Sequence, residues 1–333
     1  MKRIGVIGAG SWGTALAHLL TGKEGCSVKL WVREEEVLRD IVEHRENSRF
    51  LPGVQLNDRL VATDSLEEAV AGAGMVVNVV PSQFVRTVFP LIADTLPEGG
   101  VIVSASKGIE ESSLQTVSGV LKEVLPETFH RSIAVISGPS FAKEVSLGLP
   151  TAVCAAAESE DVSIKVQQAF STPTFRVYTN RDMVGVELGG SLKNVIALAV
   201  GISDGLGLGT NARAALITRG LAEMVRLGAA MGADSRTFSG LSGLGDLVLT
   251  CTGDLSRNRS VGLALGKGKG LKESVTEMKM VAEGVKTTKS AYNLSMKYLV
   301  DMPITENTYQ ILYEDKPPKD AVMELMTRGL RGE

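Results

Sequence analysis

The chain has 333 residues, 22% of them charged, and a formal net charge of −3. Its length is about twice that of a typical domain, which predicts two domains with ample core. The charge supplies no basic footprint, so nucleic acid is not an expected partner.

Two basic residues, Lys2 and Arg3, precede an apolar run, but Gly8-Ala9-Gly10-Ser11 interrupts it too early for a secretory signal. No apolar stretch reaches ~18 residues without a polar break. A soluble, cytoplasmic protein without membrane insertion is expected. Cys26, Cys154 and Cys251 are scattered and form no C-x-x-C pair, and His18, His44 and His130 lack metal-ligand spacing. Neither a disulfide framework nor a metal site is predicted.

The first half alternates β-rich runs with amphipathic stretches, the pattern of a doubly wound parallel sheet with crossover helices. Strands are predicted at Arg3–Ile7, Val28–Val32, Met75–Val79, Val101–Ser104, Ile133–Ile136, Ala152–Ala155 and Phe175–Tyr178. Helices are predicted at Thr14–Leu20, Glu34–Glu43, Phe84–Ala93, Ser113–Val124 and Val162–Phe170. From about Asp182 the strand signal fades, and long patterns rich in alanine and leucine follow over Val184–Ile202 and Asn211–Met231. Lys316-Pro317-Pro318 opens a last helix running through Met326. The fold class is α/β, with a Rossmann domain over residues 1–181 and an all-helical domain over 182–333.

Gly8-Ala9-Gly10-Ser11-Trp12-Gly13 matches G-x-G-x-x-G directly after a strand and at the opening of a helix. The first glycine permits the tight turn, the second lets backbone approach a pyrophosphate, and the third allows close helix–strand packing. A dinucleotide cofactor is expected here, with Trp12 readable as a packing residue or as part of the site. At the end of the second strand the position that usually holds the ribose falls on Arg33, which favours NADP over NAD. Glu34 and Glu35 follow at once, and a shift of one residue restores an acid that would hold NAD.

In the second half, Lys193-Asn194 interrupts an apolar run, where desolvating an amine costs several kcal/mol unless something compensates. A snorkelling lysine is the plain reading. Gly189-Gly190 before it and the amide of Asn194 beside it favour a site instead, with the amine's pKa lowered by burial and by a second cation toward general acid–base use. Lys107, in Ser106-Lys107-Gly108 after a strand end, is that expected second cation. Ser137-Gly138-Pro139-Ser140-Phe141-Ala142 follows another strand end. Asp246 closes a glycine-rich loop and reads either as a site acid or as a helix N-cap. Ser256-Arg257-Asn258-Arg259, ahead of a short helical run, reads as a phosphate clamp or as a solvated basic turn.

Taken in order, these motifs resemble the bacterial NAD(P)-dependent glycerol-3-phosphate dehydrogenases. They are G-A-G-S-W-G-T-A-L-A at 8–17, S-K-G at 106–108, S-G-P-S-F-A at 137–142, L-K-N at 192–194, G-L-G-D-L at 243–247, S-R-N-R at 256–259 and V-A-E-G-V at 281–285. The resemblance implies a Rossmann domain followed by a helical domain like that of 6-phosphogluconate dehydrogenase. It also implies reversible hydride transfer between the nicotinamide and C2 of glycerol 3-phosphate, in the direction that supplies phospholipid synthesis.

By the same resemblance Lys193 is the proton acceptor, and Lys107, Gly138, Ser140, Asp246, Ser256, Arg257 and Asn258 contact substrate, supported by Asn194 and Thr250. Beside the glycines, Ser11, Trp12, Arg33, Phe50, Lys107, Ala142, Arg257, Val281 and Glu283 contact the cofactor, NADP(H) by preference with NAD(H) accepted. A homodimer is implied as well. The competing readings are a related two-domain 3-hydroxyacid dehydrogenase, whose substrate carries a carboxylate rather than a phosphate, and a non-catalytic NADPH-binding sensor.

Overall fold

The computed structural model describes residues 2–276, 283–330 and 332. Its contacts divide the chain into two compact units, one of residues 1–110 and 115–187, the other of residues 111–114 and 188–333.

The first unit is built on one eight-stranded sheet: β1 Lys2–Ile7, β2 Cys26–Trp31, β3 Val61–Thr63, β4 Met75–Asn78, β5 Val101–Ser104, β6 Ile133–Ser137, β7 Thr151–Ala157 and β8 Phe175–Asn180. The spatial order is β3-β2-β1-β4-β5-β6-β7-β8. The chain leaves β1 toward β2 and β3 and returns on its other side at β4, so the order reverses beside β1. That switch point is where open α/β sheets bind ligands, outside the carboxyl ends of the strands. The central strands β4, β5 and β6 are buried on both faces, and residues such as Val6, Val28, Val77 and Val103 face one apolar layer while Val76, Ile102 and Ile133 face the other. Continuous β-branched runs of this kind suit strands covered on both sides.

The structure departs from the sequence expectation at four points. β3, only three residues long at the sheet edge, is too short to show a period in the sequence. β7 runs antiparallel to β6, with Val135 opposite Ala156, so the sheet is not wholly parallel. The linker between them carries only the short helix Ala142–Ser146, which packs against the helix Ser11–Thr21. It does not form a crossover over the sheet, and the chain re-enters from the same end. The stretch foreseen as one helix over Phe84–Ala93 is a four-residue α-turn, Val85–Val88, between tighter 3-10 turns, because Pro90 cannot continue the α-helical bonding. The helix foreseen from Ser113 begins at Val117.

The unit boundary falls within the helix Met183–Gly205. This helix is long and apolar enough to cross a membrane by composition, but 89% of its most apolar window is buried inside the protein. The second unit is helical, with Gly209–Ala230, Asp246–Thr252, Arg257–Gly266, Glu283–Tyr298, Pro303–Tyr313 and Pro318–Thr327 among its helices. Glu223 is 1% exposed and stands at the start of Pro303–Tyr313, where it accepts hydrogen bonds from Ile304 N at 2.6 Å, Thr305 N at 3.1 Å and Thr305 Oγ1 at 2.8 Å. A carboxylate there satisfies amides that the helix itself cannot pair.

Burial pushes the Glu223 carboxyl up to about 7, against the lowering effect of those bonds. A carboxyl raised by folding favours the native state below its unfolded value and loses that contribution as pH rises through the folded value. Wild-type protein is therefore expected to lose on the order of 3 kcal/mol relative to Glu223→Gln between about pH 4.5 and pH 8. Paired denaturant titrations across that range check it; a constant gap between the two proteins would refute the assignment.

Candidate functional site

In the first unit, the three glycines of the turn after β1 differ in what surrounds them. Gly8 has φ of +113°, and a Cβ there would lie 3.0 Å from Val79 O. A Cβ on Gly13 would lie 1.8 Å from Gly8 O, so helix Ser11–Thr21 packs against the turn only because Gly13 has no side chain. A Cβ on Gly10 would meet nothing within 4 Å. The outer side of the turn is thus open at the residue that caps the helix, and Gly10 offers no capping side chain. A helix start with open backbone is the arrangement that receives a pyrophosphate, so the residues present fit a dinucleotide.

The loop 47–51 lies against this turn. Ser11 Oγ donates to Phe50 O, and the ring of Phe50 packs on the core with the Arg49 guanidinium 5.1 Å from its centroid. Trp12 also packs on that core, and its Nε1 is buried without a hydrogen-bond partner. Arg33, just beyond β2, is 68% exposed and pairs with Glu34 at 2.6 Å. Both residues of the ambiguous cofactor reading are therefore present, and they bind each other.

At the ends of β5 and β6, Lys107 Nζ and Ser140 Oγ both donate to Gly138 O, at 3.3 and 3.0 Å. Gly138 has φ of +152°, and a Cβ there would come within 2.8 Å of Val153 Cα, so this turn also requires glycine. Ala142 opens the next helix and packs on the core beside it. Lys107, Gly138 and Ser140 are thus brought together as one cluster.

In the second unit, Lys193 is 6% exposed and its Nζ donates to Asp246 Oδ1, with Asp246 fully buried. The compensating partner of the buried amine is an anion. Asp246 is the first residue of helix Asp246–Thr252, entered through a π-helical turn, Leu241–Gly245; Gly245 holds the N-cap position, so the capping reading of Asp246 is replaced by ion pairing. The space beside Gly189, read from sequence as room for a ligand, is filled by protein: a Cβ there would lie 2.4 Å from Ser242 O. Asn194 is buried next to Lys193. Thr250 is one turn beyond Asp246, and its hydroxyl donates to Asp246 O at 2.6 Å.

The segment S-R-N-R divides its labour. Ser256 caps helix Arg257–Gly266 by accepting from Arg259 N at 3.3 Å. Asn258 Oδ1 accepts from Gly284 N at 3.0 Å, tying in helix Glu283–Tyr298, whose first residue is Glu283. Arg259 is held by Asp204 at 2.9 Å and Asp254 at 3.1 Å. Arg257 keeps an exposed side chain with no ion pair among the described residues; the protein around its guanidinium lowers its pKa by desolvation, opposed by the Glu283 carboxylate. Val281 lies outside the described residues.

Several positioning residues were not foreseen. Gly201 and Gly205 of helix Met183–Gly205 cross Gly262 and Gly266 of helix Arg257–Gly266 so closely that a Cβ on Gly201 would lie 2.1 Å from Arg259 O, and one on Gly262 2.2 Å from Leu198 O. This glycine crossing sets how far Arg257 and Asn258 stand from the helix that carries Lys193. A Cβ on Gly284 would meet Asn258 Oδ1 at 2.6 Å and Asn194 O at 2.9 Å. The paired spacing of glycines at 201 and 205 and at 262 and 266 is visible in the sequence, but nothing there says which helices meet. A cavity of about 570 Å³ in the same unit, lined by Ile202, Leu216, Glu223, Ile304 and Met326 among others, contains none of these polar residues. Among the described residues no three metal-ligating side chains gather.

Residues 3–163 match the family model described as the N-terminus of NAD-dependent glycerol-3-phosphate dehydrogenase, and residues 182–323 match the one described as its C-terminus. The chain is 60% identical over 332 residues to a glycerol-3-phosphate dehydrogenase [NAD(P)+] of Geobacter sp. strain M21, covering 100% of this chain and 99% of that one. It is 55% identical over 331 residues to the protein of the same description from Nitratidesulfovibrio vulgaris Hildenborough, covering 99% and 100%. The crystal structure of glycerol-3-phosphate dehydrogenase from Coxiella burnetii superposes with a TM-score of 0.93 at 41% identity, covering 98% of this chain and 99% of that one.

The ion pair makes its own prediction. Asp246→Ala leaves a buried ammonium without its carboxylate and is expected to lower stability by about 3–5 kcal/mol, whereas Lys193→Met combined with Asp246→Leu should restore most of that loss. Thermal denaturation of the single and double variants checks it, and equal destabilisation by both would show that the pair is not coupled.

Proposed function

Because the chain belongs to the NAD-dependent glycerol-3-phosphate dehydrogenase family, we propose that Lys193 moves the proton in a reversible, NAD(P)-dependent interconversion of sn-glycerol 3-phosphate and dihydroxyacetone phosphate. The observation that carries this reading is a buried amine with a carboxylate partner in the same unit as an arginine that makes no ion pair among the described residues.

Oxidising a secondary alcohol removes a hydride from carbon and a proton from oxygen. When bound, the nicotinamide cofactor supplies or accepts the hydride. Neutral Lys193 takes the proton from the C2 hydroxyl, and Asp246 then lies against the ammonium that forms. In reduction the ammonium polarises the ketone and returns the proton to its oxygen. Arg257 at the start of its helix, with Asn258 and Ser256, holds the phosphate. Because the phosphate is remote from C2, its binding energy goes into orienting the reacting carbon.

In this reading Lys107, Gly138 and Ser140 contact the substrate, and Asn194 and Thr250 support the proton-transfer pair. Gly8, Gly10, Ser11, Trp12, Gly13, Arg33, Phe50, Lys107, Ala142, Arg257, Val281 and Glu283 hold the cofactor. NADP(H) is preferred through Arg33. Its bond to Glu34 is exposed, and such pairs are worth under about 1 kcal/mol, so a 2′-phosphate can displace it. A cytoplasmic homodimer that supplies glycerol 3-phosphate to phospholipid synthesis completes the reading.

The test is loss of NADPH absorbance with dihydroxyacetone phosphate, run beside NADH and beside unphosphorylated dihydroxyacetone. Turnover is expected only with the phosphorylated ketone and faster with NADPH. Lys193→Met should lower kcat by about 10²–10⁴-fold while NADPH still binds. Arg257→Ala should raise KM for the phosphorylated ketone by about tenfold or more, the loss of a charge-assisted contact. Cofactor binding without turnover, or turnover of 3-hydroxy acids in its place, would overturn the proposal.

A further inference from the structure

Asn47 is fully buried, belongs to no helix or long strand, and uses its whole carboxamide. Nδ2 donates to Ala9 O at 2.9 Å and to Thr14 Oγ1 at 2.8 Å, and Oδ1 accepts from Phe50 N at 3.1 Å. Only this orientation of the amide serves all three partners, since Ala9 O can accept and Phe50 N can only donate. The Asn47 main chain closes its own loop by accepting from Leu51 N at 2.7 Å. Two of the carboxamide bonds reach into the glycine-rich turn and the first turn of its helix; the third holds the loop that carries Phe50.

The bond to Ala9 O has a consequence for the opposite side of the turn. A trans peptide is planar, with its carbonyl and the following N–H pointing in opposite directions, and the described residues include no cis peptide bond. Holding Ala9 O inward, against Asn47 and Thr14 Oγ1, therefore turns the Gly10 N–H outward. Gly10 is exposed, and a Cβ on it would meet nothing within 4 Å, so the turn is open to solvent at this residue. If the peptide flipped, a carbonyl oxygen would face that space and repel an anion.

We infer that Asn47 is a positioning residue for the cofactor: it fixes the Ala9–Gly10 peptide with its N–H toward the pyrophosphate and, through the same carboxamide, holds Phe50 beside it. The inference rests on the reading of the glycine-rich turn as the NAD(P) site.

Two substitutions separate this role from simple support of the loop. Asn47→Asp keeps an acceptor for Phe50 N but replaces the donor to Ala9 O with an oxygen, which opposes the inward carbonyl. Asn47→Ala removes both. If Asn47 orients the peptide, Asn47→Asp should raise KM and Kd for NADPH by about tenfold or more, as much as Asn47→Ala does, with kcat at saturating cofactor within about threefold of wild type. Thr14→Val, which removes the second bond to Ala9 O, donated by the Thr14 hydroxyl, and little volume, should raise the same KM by about threefold and keeps the test available if Asn47→Asp does not fold.

Cofactor affinity retained in Asn47→Asp and in Thr14→Val, or a loss confined to kcat, would overturn the inference. A wild-type protein that bound neither NADPH nor NADH would instead overturn the reading on which it rests.

Discussion

A lysine ammonium inside a helical bundle is tenable only with an anion against it, and the second unit is arranged around meeting that condition. Lys193 is fixed in the middle of the helix Met183–Gly205, so the carboxylate has to be brought to it. The π-helical turn before Asp246 does this, and glycines allow it: Gly243 has no room for a Cβ beside Phe238 O, and Gly189 has none beside Ser242 O. A π-turn adds a residue per turn and redirects the helix beyond it, one reason such turns occur at functional sites. A buried ion pair is weak evidence for stability, and its presence here accords with the proton-transfer role proposed for Lys193.

The first unit solves a different problem by leaving side chains out. Its turn after β1 has one glycine for conformation, one for packing and one whose missing Cβ leaves the outer side open. Asn78 and Ser104 are register partners at the ends of β4 and β5, and Ser137 ends β6; each keeps a buried polar atom with no protein partner. In an interior where nearly all buried polar groups are paired, polar atoms without protein partners at the carboxyl ends of three adjacent strands distinguish that edge from the rest of the sheet. It is the edge at which an open α/β sheet receives its ligand.

How much of this could be read from the sequence depends on the range of the interactions. G-x-G-x-x-G declares itself because its logic is local: a strand, a turn and a helix within a dozen residues. The central strands β4 and β5 follow from short runs rich in valine and isoleucine. β3 is too short to show a period, and the direction of β7 depends on where the helix Ala142–Ser146 packs, which no local pattern records. Lys193 stands out as a charge in an apolar helix, but its partner lies 53 residues away, and nothing near Asp246 marks it as anything other than a capping acid. Asn47 is invisible for the same reason: a lone asparagine before a loop looks like turn chemistry, and its partners lie 38 and 33 residues back.

The tetrapeptide S-R-N-R shows why composition alone cannot assign such a site. Arg257 and Arg259 are two residues apart, equally charged, and equally suited to a phosphate on paper. Residues two apart on a helix point to different sides, and the surroundings complete the distinction. Arg259 is fixed against Asp204, which also holds Arg213 at 2.9 Å, so its charge is committed to the fold. Arg257 stands at the helix start, where backbone amides also favour an anion, and protein around it withdraws hydration. A partly desolvated cation gains more from an incoming phosphate than a fully hydrated one, because less water has to be displaced. The fold thus makes one arginine structural and keeps the other receptive, and the glycine crossing of the two helices holds the receptive one at a set distance from the helix that carries Lys193.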